Sequence, residues 1–185
     1  MKKVLVVLLF VTILPCHTLS AIQEKEQRLK ATTAALVVQS LQLGERAQQL
    51  FSIKDELLRI VQERKGKITL QEDFIVDAVT ELKYVATVAY FEGNLLGAVL
   101  ALKEKFKLQF INDRIIEFQN SLESTTLSLR PIQIAYSGIE NGAALQQIER
   151  SIKIVQSLIE TYRNSIEVLL RMREKQAKEI EKVQP

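Results

Sequence analysis

Apolar residues recur along this chain at spacings of three, four and seven, and the two-residue alternation of a half-buried strand is missing. Leu36, Leu43, Ala47, Leu50, Ile53, Leu57 and Ile60 form one such stripe and predict a first helix over about residues 22–64. Lys65-Gly66-Lys67 supplies a stop, because glycine suits the left-handed cap and lysines suit the negative end of the helix dipole. Thr69-Leu70-Gln71-Glu72 then reads as a capping box, in which the hydroxyl and the carboxylate each satisfy an orphan amide. A second helix is expected over about 70–124, with Gly93 as the place for a kink. Residues 125–142, carrying Pro131, Ser137-Gly138 and Asn141-Gly142, read as an irregular connection. A third helix follows over about 143–183.

Alternating steps of three and four place Leu145, Ile148, Ile152, Val155, Ile159, Tyr162, Ile166 and Leu169 along one coiled-coil seam of that third helix. Leu158, Leu170 and Met172 widen the stripe, so the helix is expected to touch two neighbours. The predicted fold class is all-α: an elongated antiparallel bundle of three long helices with coiled-coil-like packing, in a single domain over residues 22–185.

Residues 1–21 stand apart from this pattern. Lys2 and Lys3 precede an apolar run from Val4 to Leu14, and a polar-to-small stretch ends in Leu19-Ser20-Ala21. A charged start, a short apolar core and a small residue at the cut are the parts of a secretory signal peptide, here of bacterial type. The run is far shorter than the ~20 residues that span a bilayer as a helix. Cleavage after Ala21 and an exported location, periplasmic or extracellular, are expected. Cys16 follows Pro15, where a lipoprotein signal prefers a small residue, so it is expected to leave with the leader; a lipid-anchored surface protein is the alternative.

Removal of the leader changes the chemistry. The chain carries 25 basic and 22 acidic residues. Without Lys2 and Lys3 the balance is 23 to 22, a nearly neutral surface that argues against nucleic acid as a partner. The sole cysteine, Cys16, and the sole histidine, His17, leave as well. What remains cannot form a disulfide, a conventional zinc site, a thiol nucleophile or a Ser-His-Asp triad. No catalytic, cofactor-binding or metal-ligating residue is expected, and no enzymatic role.

The segment from Tyr84 to Leu102 is the most unusual. Glu92 and Asn94 are its strongly polar members, and Ala89, Gly93, Gly97 and Ala101 repeat every fourth residue. On a helix these four form a ridge of small side chains that lets another backbone come close. The segment is either buried in the bundle or a membrane-inserting element. Its eight Leu, Val and Phe residues favour insertion by about 2 to 5 kcal/mol in total, and Glu92 near the centre opposes it by ~2.5–3.5 kcal/mol. Burial is therefore expected, with membrane contact a disfavoured alternative. Glu92 and Asn94 either pair to fix the register of the bundle or face solvent, and the second is expected. The aromatic residues Tyr84, Tyr90, Phe91, Phe106, Phe110 and Phe118 are expected mostly in the core. The functional expectation is a non-enzymatic exported protein working through protein–protein contacts, with an envelope-assembly, chaperone-like or secretion or pilus accessory role. Its partner would be another protein or a second copy of itself.

Overall fold

The stripe on the first helix is the inner face of a helical bundle. In the computed structural model, Leu36, Leu43, Ala47, Leu50, Ile53, Leu57 and Ile60 are all buried. Fully burying each Leu or Ile is worth a gross ~1.5–3 kcal/mol, and this drives the helix onto its neighbours. The structure describes residues 2–63, 70–101, 108–140 and 142–181, with side chains from Gln27 onward except at positions 28, 29, 70, 71, 101, 179 and 181. Four helices account for nearly all of them: α1 (Lys2–Glu63), α2 (Leu70–Ala101), α3 (Leu108–Gly138) and α4 (Gly142–Glu181). No strand occurs among the described residues.

The chain divides into two compact units, Met1–Ala35 and Leu36–Pro185. The described part of the first is helix α1 up to Ala35. The second holds the rest of α1 with α2, α3 and α4. Within it the contacts define an up-and-down, antiparallel arrangement. A side chain on Gly93 of α2 would meet Ser40 and Gly44 of α1, and Phe74 near the start of α2 lies against Gly138 at the end of α3. Phe118 of α3 meets Tyr162 of α4 edge-on, with ring centroids 5.7 Å apart. Arg46 of α1 donates to Thr161 Oγ1 of α4 at 2.8 Å, which closes the ring of neighbours.

All-α architecture holds, but the expected three-helix count does not: the bundle has four. The expected second helix, 70–124, is two antiparallel helices, α2 and α3, and the expected connection at 125–142 is helical as far as Gly138. Pro131 lies inside α3. It lacks the N–H that would bond the carbonyl four residues earlier, and that carbonyl belongs to Leu127, 68% exposed, where water can satisfy it. The proline is thus tolerated on an outer face. Pro131→Ala is expected to stabilise the protein by about 1–2 kcal/mol in urea unfolding, because ~3 kcal/mol of helix propensity is regained and some chain entropy of the unfolded state returns.

On α4 the expected seam is buried at Ile148, Val155, Ile159, Tyr162, Ile166 and Leu169 and half-buried at Leu145 and Ile152. The innermost line is rotated slightly from it: Ile148, Ser151, Val155, Leu158, Tyr162, Ser165, Leu169 and Met172 are all buried at alternating steps of three and four. Ser151 and Ser165 bond carbonyls of their own helix, at 2.7 Å to Ile148 and 2.8 Å to Thr161, so their hydroxyls sit in the core without loss. The outer face of α4 is a ladder of charges, with Lys153–Glu149, Arg163–Glu160 and Arg171–Glu167 paired along the helix. In each pair the acid precedes the base, the order that suits the helix dipole.

The Thr69 capping hydroxyl and Lys65-Gly66-Lys67 lie outside the described residues. Glu72 and Asp73 occupy the first turn of α2, where negative charge meets the positive end of the helix dipole.

Candidate functional site

The small-residue ridge of α2 meets α1. A Cβ on Gly93 would lie 2.9 Å from the Ser40 carbonyl oxygen, 3.1 Å from the Gly44 amide nitrogen and 3.1 Å from Leu43 Cβ. Ala89 is fully buried beside it. Gly97 is looser, with Ser40 Oγ at 3.5 Å from the position of an added Cβ. The side chain of Ala101 lies outside the described residues. Ser40 bonds its own helix, donating to the Val37 carbonyl at 2.9 Å, so its hydroxyl is satisfied at the crossing.

One helical face round from this crossing, α2 turns Glu92 towards α3. Its carboxylate accepts from Arg114 Nη1 at 3.1 Å and from Ser121 Oγ at 3.4 Å. Both charged side chains are largely removed from water, Arg114 at 7% and Glu92 at 14% exposure. Arg114 also pairs with the half-exposed Glu117 of its own helix and lies over the Phe110 ring, 5.8 Å from its centroid. Tyr162 from α4 reaches the same level of the bundle. Its hydroxyl and Arg114 Nε are buried without a hydrogen-bond partner among the described residues.

The electrostatics of this layer follow from burial. Desolvation pushes the Glu92 carboxyl above its ordinary value, and Arg114 and the Ser121 hydroxyl pull it part of the way back. Desolvation also raises the Tyr162 phenol, the Glu92 charge raises it further, and the approach of Ser121 opposes both. The phenol therefore stays neutral at physiological pH and offers no base. No protein-family model matches the chain, and no curated protein or solved structure is significantly similar. The cluster has to be read from its own geometry.

That geometry is a clamp. The Glu92 carboxylate takes the Arg114 guanidinium and the Ser121 hydroxyl in one buried layer, which ties the register of α2 to that of α3, with the Tyr162 phenol of α4 buried nearby. Among the described residues no group of three or more carboxylates, histidines or cysteines is placed to hold a metal ion. One depression of about 710 Å³ lies on the outside of α1 and α4, lined by Phe51, Asp55, Glu56, Arg59 and Arg150 among others. Its Arg59 is already engaged by Glu56 and Glu63, and its Asp55 by Lys54.

Glu92 was expected in solvent and is instead the acid of a cross-helix pair, while Asn94 is exposed. Arg114 and Ser121 were not singled out from sequence, and Tyr162 only as a seam residue. A signal for them existed: Arg114 and Ser121 fall on the same buried stripe as Ile111, Phe118 and Thr125, where an unpaired polar residue would be costly.

Tyr84, Tyr90 and Phe91 of α2 are not core residues. Phe91 is 71% exposed, Tyr84 49% and Tyr90 46%, whereas Phe118 on α3 is fully buried; Phe106 lies outside the described residues. With Glu92 turned inward, the outer face of α2 from Tyr84 to Ala98 carries no charge. Among the described residues no helix is long and apolar enough to cross a membrane.

Proposed function

We propose that this chain is an exported, non-enzymatic helical protein that acts through protein–protein contacts, in an envelope-assembly, chaperone-like or secretion accessory role. The observation that supports this most is the surface of α2. Large exposed apolar side chains gathered on one uncharged face mark an interaction site more often than they mark plain surface. Aromatic residues are enriched at such sites because they bring much contact area at little entropic cost. The remaining architecture suits a carrier of contacts: a bundle held by packing and by a buried polar clamp, with one outer helix heavily charged and solvated.

Export rests on the leader at residues 1–21. The processed protein is expected to begin at Ile22, which N-terminal sequencing of the material recovered from outside the cytoplasm will read. A photo-crosslinking amino acid at Phe91 is expected to yield adducts in the cell, and the same group at Arg163 on the charged face of α4 is expected to yield none. An intact N-terminus on cytoplasmic protein would remove the export part of the reading. Equal or absent crosslinking at the two positions would remove the contact part.

A further inference from the structure

Thirteen large hydrophobic side chains are exposed among the described residues, and seven of them belong to two short stretches. Val37, Val38 and Leu41 on α1 are 40%, 52% and 67% exposed; Tyr84, Tyr90, Phe91 and Leu95 on α2 make up the rest. The two stretches meet at one crossing. Ser40 of α1 touches the positions of Gly93 and Gly97 on α2; by helix geometry Val37 and Leu41 come next round α1 from the contact, Tyr90 comes next round α2, and Phe91 stands on the outer face of α2. Small residues hold the helices close there, which leaves a broad, shallow surface and not two separate ridges.

This surface is free of charge. Residues 36–44 include no acidic or basic side chain, and residues 84–98 include only Glu92, which points into the bundle and pairs with Arg114. The other outer faces differ. α4 carries its ladder of ion pairs, and α3 exposes Asp113, Glu123 and Arg130 around Ile116 and Leu127.

Resting on the protein-contact reading above, we propose that this α1/α2 face is the docking surface for a second copy of the same chain, in a two-fold pairing with Leu41 and Phe91 at its centre. Two arguments select that occupant. In a two-fold interface each patch meets its own copy, so any like-charged cluster would face itself and repel. A patch of this size with no charge is the kind of surface that can pair with itself without that penalty. The area is also suitable. The seven side chains leave on the order of 600 Å² of exposed surface, judged from ~150–250 Å² for a whole aromatic side chain, and a stable interface takes about 800 Å² from each partner. The neutral side chains among them, Gln42, Thr87, Asn94 and Ala98, supply the remainder. A lipid surface fits less well, since faces that lie on anionic headgroups carry Lys and Arg beside the apolar residues. The nearest charged positions here, Glu45 and Lys83, are of opposite sign.

The test is sedimentation velocity on protein purified after expression of the full chain, over a concentration series up to about 100 μM, a range that reaches well into micromolar dissociation constants. The wild type is expected to be a dimer. Leu41→Glu and Phe91→Glu are each expected to raise the dissociation constant at least about 100-fold, since both copies place the new charge in the interface. Leu127→Glu, on the equally exposed but separate face of α3, is expected to leave the dimer intact. Far-UV circular dichroism checks that all variants remain folded. A monomeric wild type at the highest concentration overturns the proposal, as does a dimer indifferent to both α1/α2 substitutions. Co-sedimentation of wild type with phosphatidylcholine vesicles that Phe91→Glu abolishes also overturns it, by giving the face to lipid. A monomer that still crosslinks through Phe91 to a different protein defeats the dimer and leaves the contact reading standing; a monomer that crosslinks to nothing defeats both.

Discussion

Gly93→Val is expected to lower the stability of the bundle by about 3 kcal/mol, the upper part of the range for overpacking a well-filled interface. The reason is what the first added carbon meets. At 2.9 Å from the Ser40 carbonyl oxygen and 3.1 Å from the Gly44 nitrogen, the obstruction is backbone of a facing helix, which cannot rotate aside. To admit the side chain, α1 and α2 must separate, and the contacts on both sides of the crossing loosen with them. Gly93→Ala should cost less, about 1 kcal/mol, because the clash is offset by the ~1 kcal/mol by which alanine is the better helix former. The neighbouring glycines reverse the sign. At Gly97 an added Cβ finds Ser40 Oγ at an ordinary 3.5 Å, and at Gly44 it finds nothing within 4 Å. Gly97→Ala and Gly44→Ala are each expected to stabilise by about 0.5–1 kcal/mol through propensity alone. Urea unfolding of the four variants, followed by circular dichroism, gives the comparison. A Gly93→Ala that stabilised as much as Gly97→Ala would show that the helices do not approach closely at this point.

This contrast also shows what could be read without the structure. The four-residue repeat of small side chains suggested a close-packing ridge; of its members, Gly93 and Gly97 face Ser40 of α1, and Ala89 is buried. Which glycine is indispensable was not legible, because that depends on the depth of the crossing and not on the repeat. The apolar stripe of α1 was legible for the same reason the helix forms: seven residues on one face have nowhere else to go. The division between α2 and α3 was hidden. Lys103-Glu104-Lys105-Phe106-Lys107 offers neither glycine nor proline, and each of its Lys and Glu residues is a good helix former, so local preference gave no reason to stop. Pro131 misled in the opposite direction, since a proline whose lost bond falls on a solvated carbonyl interrupts less than its propensity suggests. On α4, Ser151 and Ser165 masked the true centre of the seam. A hydroxyl that bonds its own helix counts as small and nearly apolar in a core, whereas in a sequence it counts as polar. The same blindness applies to Glu92, whose partner sits 22 residues along the chain on a helix that had not been recognised.

Loss of that partner should be among the most damaging single changes. Arg114→Met removes the guanidinium and leaves the Glu92 carboxylate mostly buried, and breaking a buried pair from one side costs about 3–5 kcal/mol. The lower end, about 3 kcal/mol at about pH 8, is expected, because Glu92 keeps some contact with water and Ser121 still donates to it. Glu117 loses a partner too, but at 43% exposure it can turn to solvent. The pH dependence identifies the cause. Burial already holds the Glu92 carboxyl above its ordinary value, and Arg114 is the strongest influence pulling it down. Without Arg114 the folded protein takes up the proton at still higher pH, while the unfolded chain waits for the ordinary carboxylate range. In that window the folded state binds more protons, so stability rises as pH falls and levels off once the unfolded chain is protonated as well. The penalty of Arg114→Met is therefore expected to shrink by half or more between about pH 8 and about pH 5. Other carboxylates titrate over the same range, Glu56 among them with its value lowered by Arg59, which works in the opposite direction. Comparing Arg114→Met with Arg114→Met/Glu92→Gln at each pH cancels them. The double variant should be the more stable at pH 8, with the advantage gone near pH 5, since a neutral amide imitates the protonated acid. Were the two variants equally stable throughout, the charge on Glu92 would not be what the arginine holds in place, and the clamp would owe its effect to packing around Phe110 and Tyr162.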